Sequence, residues 1–150
     1  MAKTTKKKPI NPVQLLAHEI FDKLAKARSD KTRLEILKEH KSDGLQTLLQ
    51  ATYHPGIKMN LPEGEPPFDP WEEDGEPTNL LNRTKELITF VSNKELKRLG
   101  KVRLEYLFIQ FLEGIHQKDA AVLLQVKDKQ PVKGLELAVI QEAYPELAIS

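Results

Sequence analysis

The sequence predicts an all-α protein: a compact bundle of six or seven short helices interrupted by one long Pro-rich acidic loop. Three observations point there. Apolar residues recur at the helical period along most of the chain. No segment shows the two-residue alternation of a half-buried strand, and no Asn-Gly hairpin turn occurs. Five of the ten prolines (Pro62, Pro66, Pro67, Pro70 and Pro77) fall between residues 59 and 82, and proline denies that stretch a helix. A chain of 150 residues makes about one ordinary domain.

The first helix is expected from about 12 to 27, with Asn11-Pro12 as cap and first turn and with Val13, Leu16, Ile20 and Leu24 on one face. Ser29 or Asp30 caps a second, which turns Leu34 and Leu37 inward. Ser42 or Asp43 caps a third, carrying Leu45, Leu48, Leu49 and Thr52 and stopping before His54-Pro55-Gly56. Beyond the loop, Thr78 can cap a helix whose Leu80, Leu81, Leu87, Ile88 and Val91 share a face. Ser92-Asn93-Lys94-Glu95 has the form of a capping box, and the short helix it opens ends at Gly100. Val102, Leu104, Leu107, Phe108, Phe111 and Leu112 make the next helix the most apolar of the chain, hence the expected core helix. Two more cover roughly 118–127 and 135–144, the last closing at Tyr144-Pro145. This divides the chain into a flexible basic tail, 1–10, and a single helical domain, 11–150, with 54–78 as its internal acidic loop.

Charge is segregated along the chain. Residues 1–58 carry a net +6, residues 59–82 a net −7 with no Lys or Arg, and residues 83–150 a net +2. The acidic segment also holds Leu61, Phe68 and Trp71, so it is expected to lay an apolar side on the helices while its acids face water. A long connection inside one domain is usually functional or disordered. Glu63, Glu65, Phe68, Trp71, Glu72, Glu73 and Asp74 are the candidate contacts for a partner protein, because prolines fix the backbone in advance and reduce the ordering cost of recognition. Adjacent carboxylates on an extended chain point apart, which argues against a metal there. The second charged cluster is Lys94, Lys97, Arg98, Lys101 and Arg103, five basic residues within ten positions that also hold Glu95. It is either a solvated helix end or a surface for nucleic acid or an acidic peptide, with Lys3, Lys6, Lys7 and Lys8 as weak, salt-sensitive help.

No catalytic constellation is visible. The chain has no Cys, so disulfide scaffolds, thiolate zinc sites and Cys nucleophiles drop out. His18, His40, His54 and His116 share no ligand spacing. His18 falls off the apolar stripe and reads as a surface residue, while His116 can cap the helix that follows it. No phosphate loop, dinucleotide fingerprint or nucleophile elbow occurs. The last two helices imitate a helix-turn-helix, yet their joint is too long, and Glu136, Glu142 and Glu146 would repel phosphate. No catalytic residue, metal or cofactor is therefore assigned. With no apolar run long enough for a membrane and no leader-like stretch, the cytoplasm is the expected compartment.

Several strings are similar to a known family. Ile57-Lys58-Met59-Asn60, Leu61-Pro62-Glu63-Gly64-Glu65-Pro66-Pro67-Phe68, Leu107-Phe108-Ile109-Gln110-Phe111-Leu112-Glu113-Gly114-Ile115-His116, Val126-Lys127-Asp128-Lys129 and Ala143-Tyr144-Pro145-Glu146 resemble small uncharacterised proteins encoded by large tailed bacteriophages of the myovirus kind, cyanophages among them. The similarity runs over roughly 30–147. Gln117 departs from it, where the family would place Pro. The resemblance implies a phage-encoded accessory protein of the host cytoplasm and supplies no catalytic residue. Joined to the missing chemistry and the −7 segment, it makes a non-enzymatic protein that binds a host or phage protein the leading expectation. Nucleic-acid binding through the basic cluster is the second, and a virion or assembly component the third.

Overall fold

The computed structural model describes residues 15–70 and 77–149, and within them the fold is all-α with no strand. Its helices are α1 (Ala17–Lys26), α2 (Asp30–Glu39), α3 (Asp43–Tyr53), α4 (Ile88–Val91), α5 (Asn93–Leu99), α6 (Lys101–Glu113), α7 (Gln117–Lys127) and α8 (Leu137–Ala143). Asn11, Pro12, Val13 and the lysine-rich start lie outside the described residues.

Local chemistry sets most of these ends. At α1, the Glu19 carboxylate accepts the Leu16 N–H at 2.8 Å. The Ser29 hydroxyl accepts the Thr32 N–H at 3.2 Å and the Ser42 hydroxyl the Leu45 N–H at 3.1 Å, each satisfying a donor that the first helical turn leaves open. Gln117 is the first residue of α7, where a proline's missing N–H would go unnoticed. The 80–91 segment departs from the single helix expected there. Two 3₁₀ turns, Leu80–Asn82 and Thr84–Leu87, run into the single turn of α4. Asn79, not Thr78, caps the first turn, because Thr78 is drawn away to donate its N–H to the Gly114 carbonyl at 3.0 Å and to bridge Ile115. The tighter winding buries Leu80, Leu81, Thr84, Leu87 and Phe90 and turns Ile88 out, 67% exposed. This segment also crosses α3 at very short range. A Cβ on Gly44 would lie 2.2 Å from the Leu81 carbonyl oxygen, so only glycine permits the approach.

The core helix is α7, not α6. It packs against α1, α3 and α6, while α8 closes on α2. Ala120, Val122, Leu123 and Val126 are buried along it. Helix α6 is more apolar yet amphipathic, burying Leu104, Phe108, Phe111 and Leu112 on one face only. Two tyrosines lock the rim. The Tyr144 hydroxyl donates to the Leu37 carbonyl, and Tyr53 donates to the Leu135 carbonyl at 2.8 Å while accepting the Val132 N–H at 3.0 Å. Burial pushes both phenols above the ordinary tyrosine value.

The acidic segment is a strap tied to this body. Lys127, 5% exposed, donates from Nζ to the Pro62 carbonyl at 2.7 Å and pairs with Asp128 at 2.5 Å. The Asp128 carboxylate accepts the Gly64 N–H at 3.2 Å. Lys129, whose φ of 56° places it in the left-handed region just past α7, directs Nζ at the carbonyls of Ala51, His54 and Ile57, at 2.8, 2.8 and 2.6 Å. Burial holds its pKa below the usual lysine value. Asn60 donates its N–H to the Phe90 carbonyl at 2.7 Å, and Asp69 donates to the Glu113 carboxylate at 2.8 Å. Leu61 and Phe68 pack on the core, while Glu63, Glu65 and Asp69 stay exposed.

Two substitutions test these ties. Gly44→Ala should lower unfolding free energy by roughly 1–3 kcal/mol in a denaturant titration, the range for overpacking; an unchanged midpoint would mean that α3 and the 80–82 turn are not this close. Lys129→Met should cost about 1–3 kcal/mol by orphaning three carbonyls. It should also speed hydrogen exchange of the Ile57 and Asn60 amides, and unaltered exchange there would show that the tripod does not hold the strap.

Candidate functional site

Helices α5 and α6 meet at a single residue. Ser92 opens α5, its hydroxyl accepting the Glu95 N–H at 3.3 Å. Gly100 closes α5 with φ 82° and ψ 161°, donating its N–H to the Leu96 carbonyl at 2.8 Å. Gly100 also starts α6, its own carbonyl accepting the Leu104 N–H at 3.1 Å. No side chain caps α6, so the N–H groups of Lys101, Val102 and Arg103, which the first helical turn leaves open, have no partner among the described residues. Nothing approaches within 4 Å of where a Gly100 Cβ would sit, so the joint is open.

Lys94, Lys97, Arg98, Lys101 and Arg103 are all exposed and lie within two turns of this joint. Arg98 is bound to Glu95, with Nε at 3.2 Å and Nη2 at 2.5 Å. The hydrogen bonds hold the Glu95 carboxyl below the usual carboxylate range and raise the guanidinium. Among the described residues, Lys94, Lys97, Lys101 and Arg103 make no salt bridge. The Arg103 guanidinium instead lies 5.5 Å over the ring of Tyr106, which is 50% exposed. Val102, expected on the core face, is 83% exposed. The spacing explains the correction: Leu104, Phe108, Phe111 and Leu112 define the buried stripe, and a position two residues before Leu104 falls on the opposite side of a helix.

The strap contributes a second set. Glu63 and Glu65 are exposed and Phe68 is partly buried, whereas Trp71, Glu72, Glu73 and Asp74 lie outside the described residues. Between strap and α6 is a cleft of about 170 Å³ lined by Leu61, Pro62, Glu65, Glu105, Phe108 and Lys127.

A third group was not legible as a site. Asp119 is fully buried, and its Oδ1 accepts the His18 backbone N–H at 2.9 Å and lies 2.7 Å from His18 Nδ1. Its Oδ2 has no hydrogen-bond partner among the described residues. The His18 ring stacks on His116 with centroids 4.8 Å apart, and His116 Nδ1 accepts the Lys118 N–H at 3.0 Å. His116 thus caps α7 as its position suggests. His18 is half-buried rather than a surface residue, because its partner arrives from 101 positions away in sequence. With its Nδ1 accepting, a neutral His116 carries its proton on Nε2 and offers no second lone pair, so the two rings do not make a metal pair. Among the described residues no cluster of three or more His, Cys, Asp or Glu is placed to hold a metal. The group joins α1 to α7. No helix among the described residues is long and apolar enough to cross a membrane.

Compared with protein-family models, residues 20–133 match one described as "Family of unknown function (DUF6433)". The chain belongs to that family. The match takes in the strap, the α5–α6 joint, all of α7 and the Lys127-Asp128-Lys129 run. No curated protein matches. Among solved structures, a chain titled "Pmar-Lig_PreS3" is similar with a TM-score of 0.66 and 16% identity over 91% of this chain and 32% of that one. This likeness is one of fold alone, and this member of the family spans about a third of that chain's length.

His18→Leu should destabilise the protein by roughly 2–4 kcal/mol in denaturant, because it leaves the buried Asp119 carboxyl short of its side-chain hydrogen-bond partner. An unchanged midpoint would show that the contact carries no weight.

Proposed function

We propose that this chain is a non-enzymatic nucleic-acid-binding protein that holds backbone phosphates at the α5–α6 joint. The observation that carries this reading is the gathering of exposed basic side chains around Gly100, four of the five making no salt bridge among the described residues. Exposed cations that make no salt bridge among the described residues, the three lysines above all, are available for phosphate, and each contact releases condensed counterions. The uncapped first-turn amides of Lys101, Val102 and Arg103 add donors suited to anionic oxygens. The strap is less available than its composition suggests, since Lys127, Asp128 and Glu113 already bind its backbone.

Protein binding through the strap is the second reading. It rests on Glu63 and Glu65 pointing to solvent from a backbone held in one shape, beside the cleft at Phe108. That surface suits a basic partner, of host or phage origin. We propose that either role is played in the cytoplasm of an infected bacterium, a reading supported by the resemblance to proteins of tailed phages; a virion component would instead be found by mass spectrometry of purified particles.

The triple variant Lys97→Glu, Lys101→Glu, Arg103→Glu should lose roughly 100-fold or more of the affinity for nucleic acid at low salt while keeping its circular dichroism spectrum. An intact protein that passes through heparin and nucleic-acid columns unretained would overturn the proposal. Retention of a basic partner that is lost on Glu63→Gln, Glu65→Gln would then favour the strap.

A further inference from the structure

Resting on the nucleic-acid reading, we infer that the basic patch takes a duplex, held by its phosphates without reading base sequence. Between Lys94 and Tyr106 the exposed side chains are Lys94, Lys97, Arg98, Lys101, Val102, Arg103, Glu105 and Tyr106. None is Asn, Gln, Ser or Thr, and the remaining donors are cationic groups suited first to phosphate. Arg98 and Arg103, the two residues whose planar guanidinium forks best match the paired acceptors of guanine, are each engaged within the chain. Arg98 is bound to Glu95 and Arg103 lies over Tyr106.

The aromatic inventory argues against a single strand. Stacking platforms for unpaired bases need open ring faces in series. The patch holds one aromatic residue, Tyr106, and the Arg103 guanidinium already lies over one face of its ring.

Shape agrees with the charge. Lys94, Lys97 and Arg98 stand on α5, and Lys101 and Arg103 on α6, so cations flank both sides of a one-residue joint. A duplex presents two rows of phosphates bordering a groove, and a minor groove about 6 Å wide brings them within reach of side chains on both flanks. A single strand offers one row. Val102 stands between the flanks, 83% exposed, where the sugar faces of a minor groove are the apolar surface available to it.

Fluorescence anisotropy with the full chain tests this, using two unrelated DNA duplexes of about 20 base pairs, a duplex RNA, and an oligothymidine of equal length, at 50 and 200 mM salt. The two DNA duplexes should bind within roughly threefold of each other and at least tenfold more tightly than the single strand, with a log–log salt slope of about −3 to −4 for three or four phosphate contacts. A duplex RNA equal to the DNA would keep the inference and show that backbone spacing alone suffices; RNA tenfold weaker would keep it and confine it to B-form grooves. Equal or tighter binding of the single strand, or a hundredfold preference for one DNA sequence, would overturn the inference while leaving the nucleic-acid reading intact. Binding to none of the polymers would remove that reading itself.

Discussion

Three consecutive charged residues at the end of α7 hold together what the prolines pull apart. A Pro-rich strap forms no regular ladder, so its carbonyls and amides must find partners elsewhere or remain in water. Lys127 and Lys129 supply donors to four backbone carbonyls, and Asp128 supplies the acceptor for Gly64. Because α7 is packed among α1, α3 and α6, anchoring the strap to its end joins the acidic segment to the centre of the molecule. The other end of α7 does the same for α1, through Asp119 and His18. Both anchors are charged groups with little exposure, which costs desolvation and is stable only while the hydrogen bonds are complete.

This arrangement divides the surface. The strap runs from the end of α7, where Pro62 and Gly64 are tied, to Glu113 near the end of α6, and the chain rejoins the bundle at Thr78 beside Gly114. Helix α6 is covered along that course and left open at its start. There Gly100 separates it from α5, and the exposed cations collect. The proposed function rests on that division: one face carries the chain's own loop, and the other carries exposed cations, of which Arg98 alone makes a salt bridge among the described residues.

Local features were readable from the sequence where a residue acts on its immediate neighbours. Ser29, Ser42 and Ser92 cap the helices that they precede, His116 caps α7, and α5 stops on Gly100. The all-α class and the basic cluster follow from periodicity and counting in the same way. What was not readable depends on partners far apart in the chain. Thr78 leaves its expected cap for Gly114, and a helical pattern over 80–91 winds into 3₁₀ turns against Gly44. His18 looked like a surface residue because Asp119 lies on a helix that periodicity cannot place beside it. The burial of Lys127 runs against the usual habit of lysine, and only the carbonyls of a strap more than sixty residues away explain it.

Amide chemical shifts of the labelled protein, followed during titration with a short DNA duplex, bear most directly on where this molecule meets its partner. The account predicts that shifts concentrate on Lys97 and on Gly100 through Arg103, with Gly64, Asp69 and the α8 amides unmoved. Shifts confined to Glu63 through Asp69, or a spectrum that the duplex leaves unchanged, would contradict it.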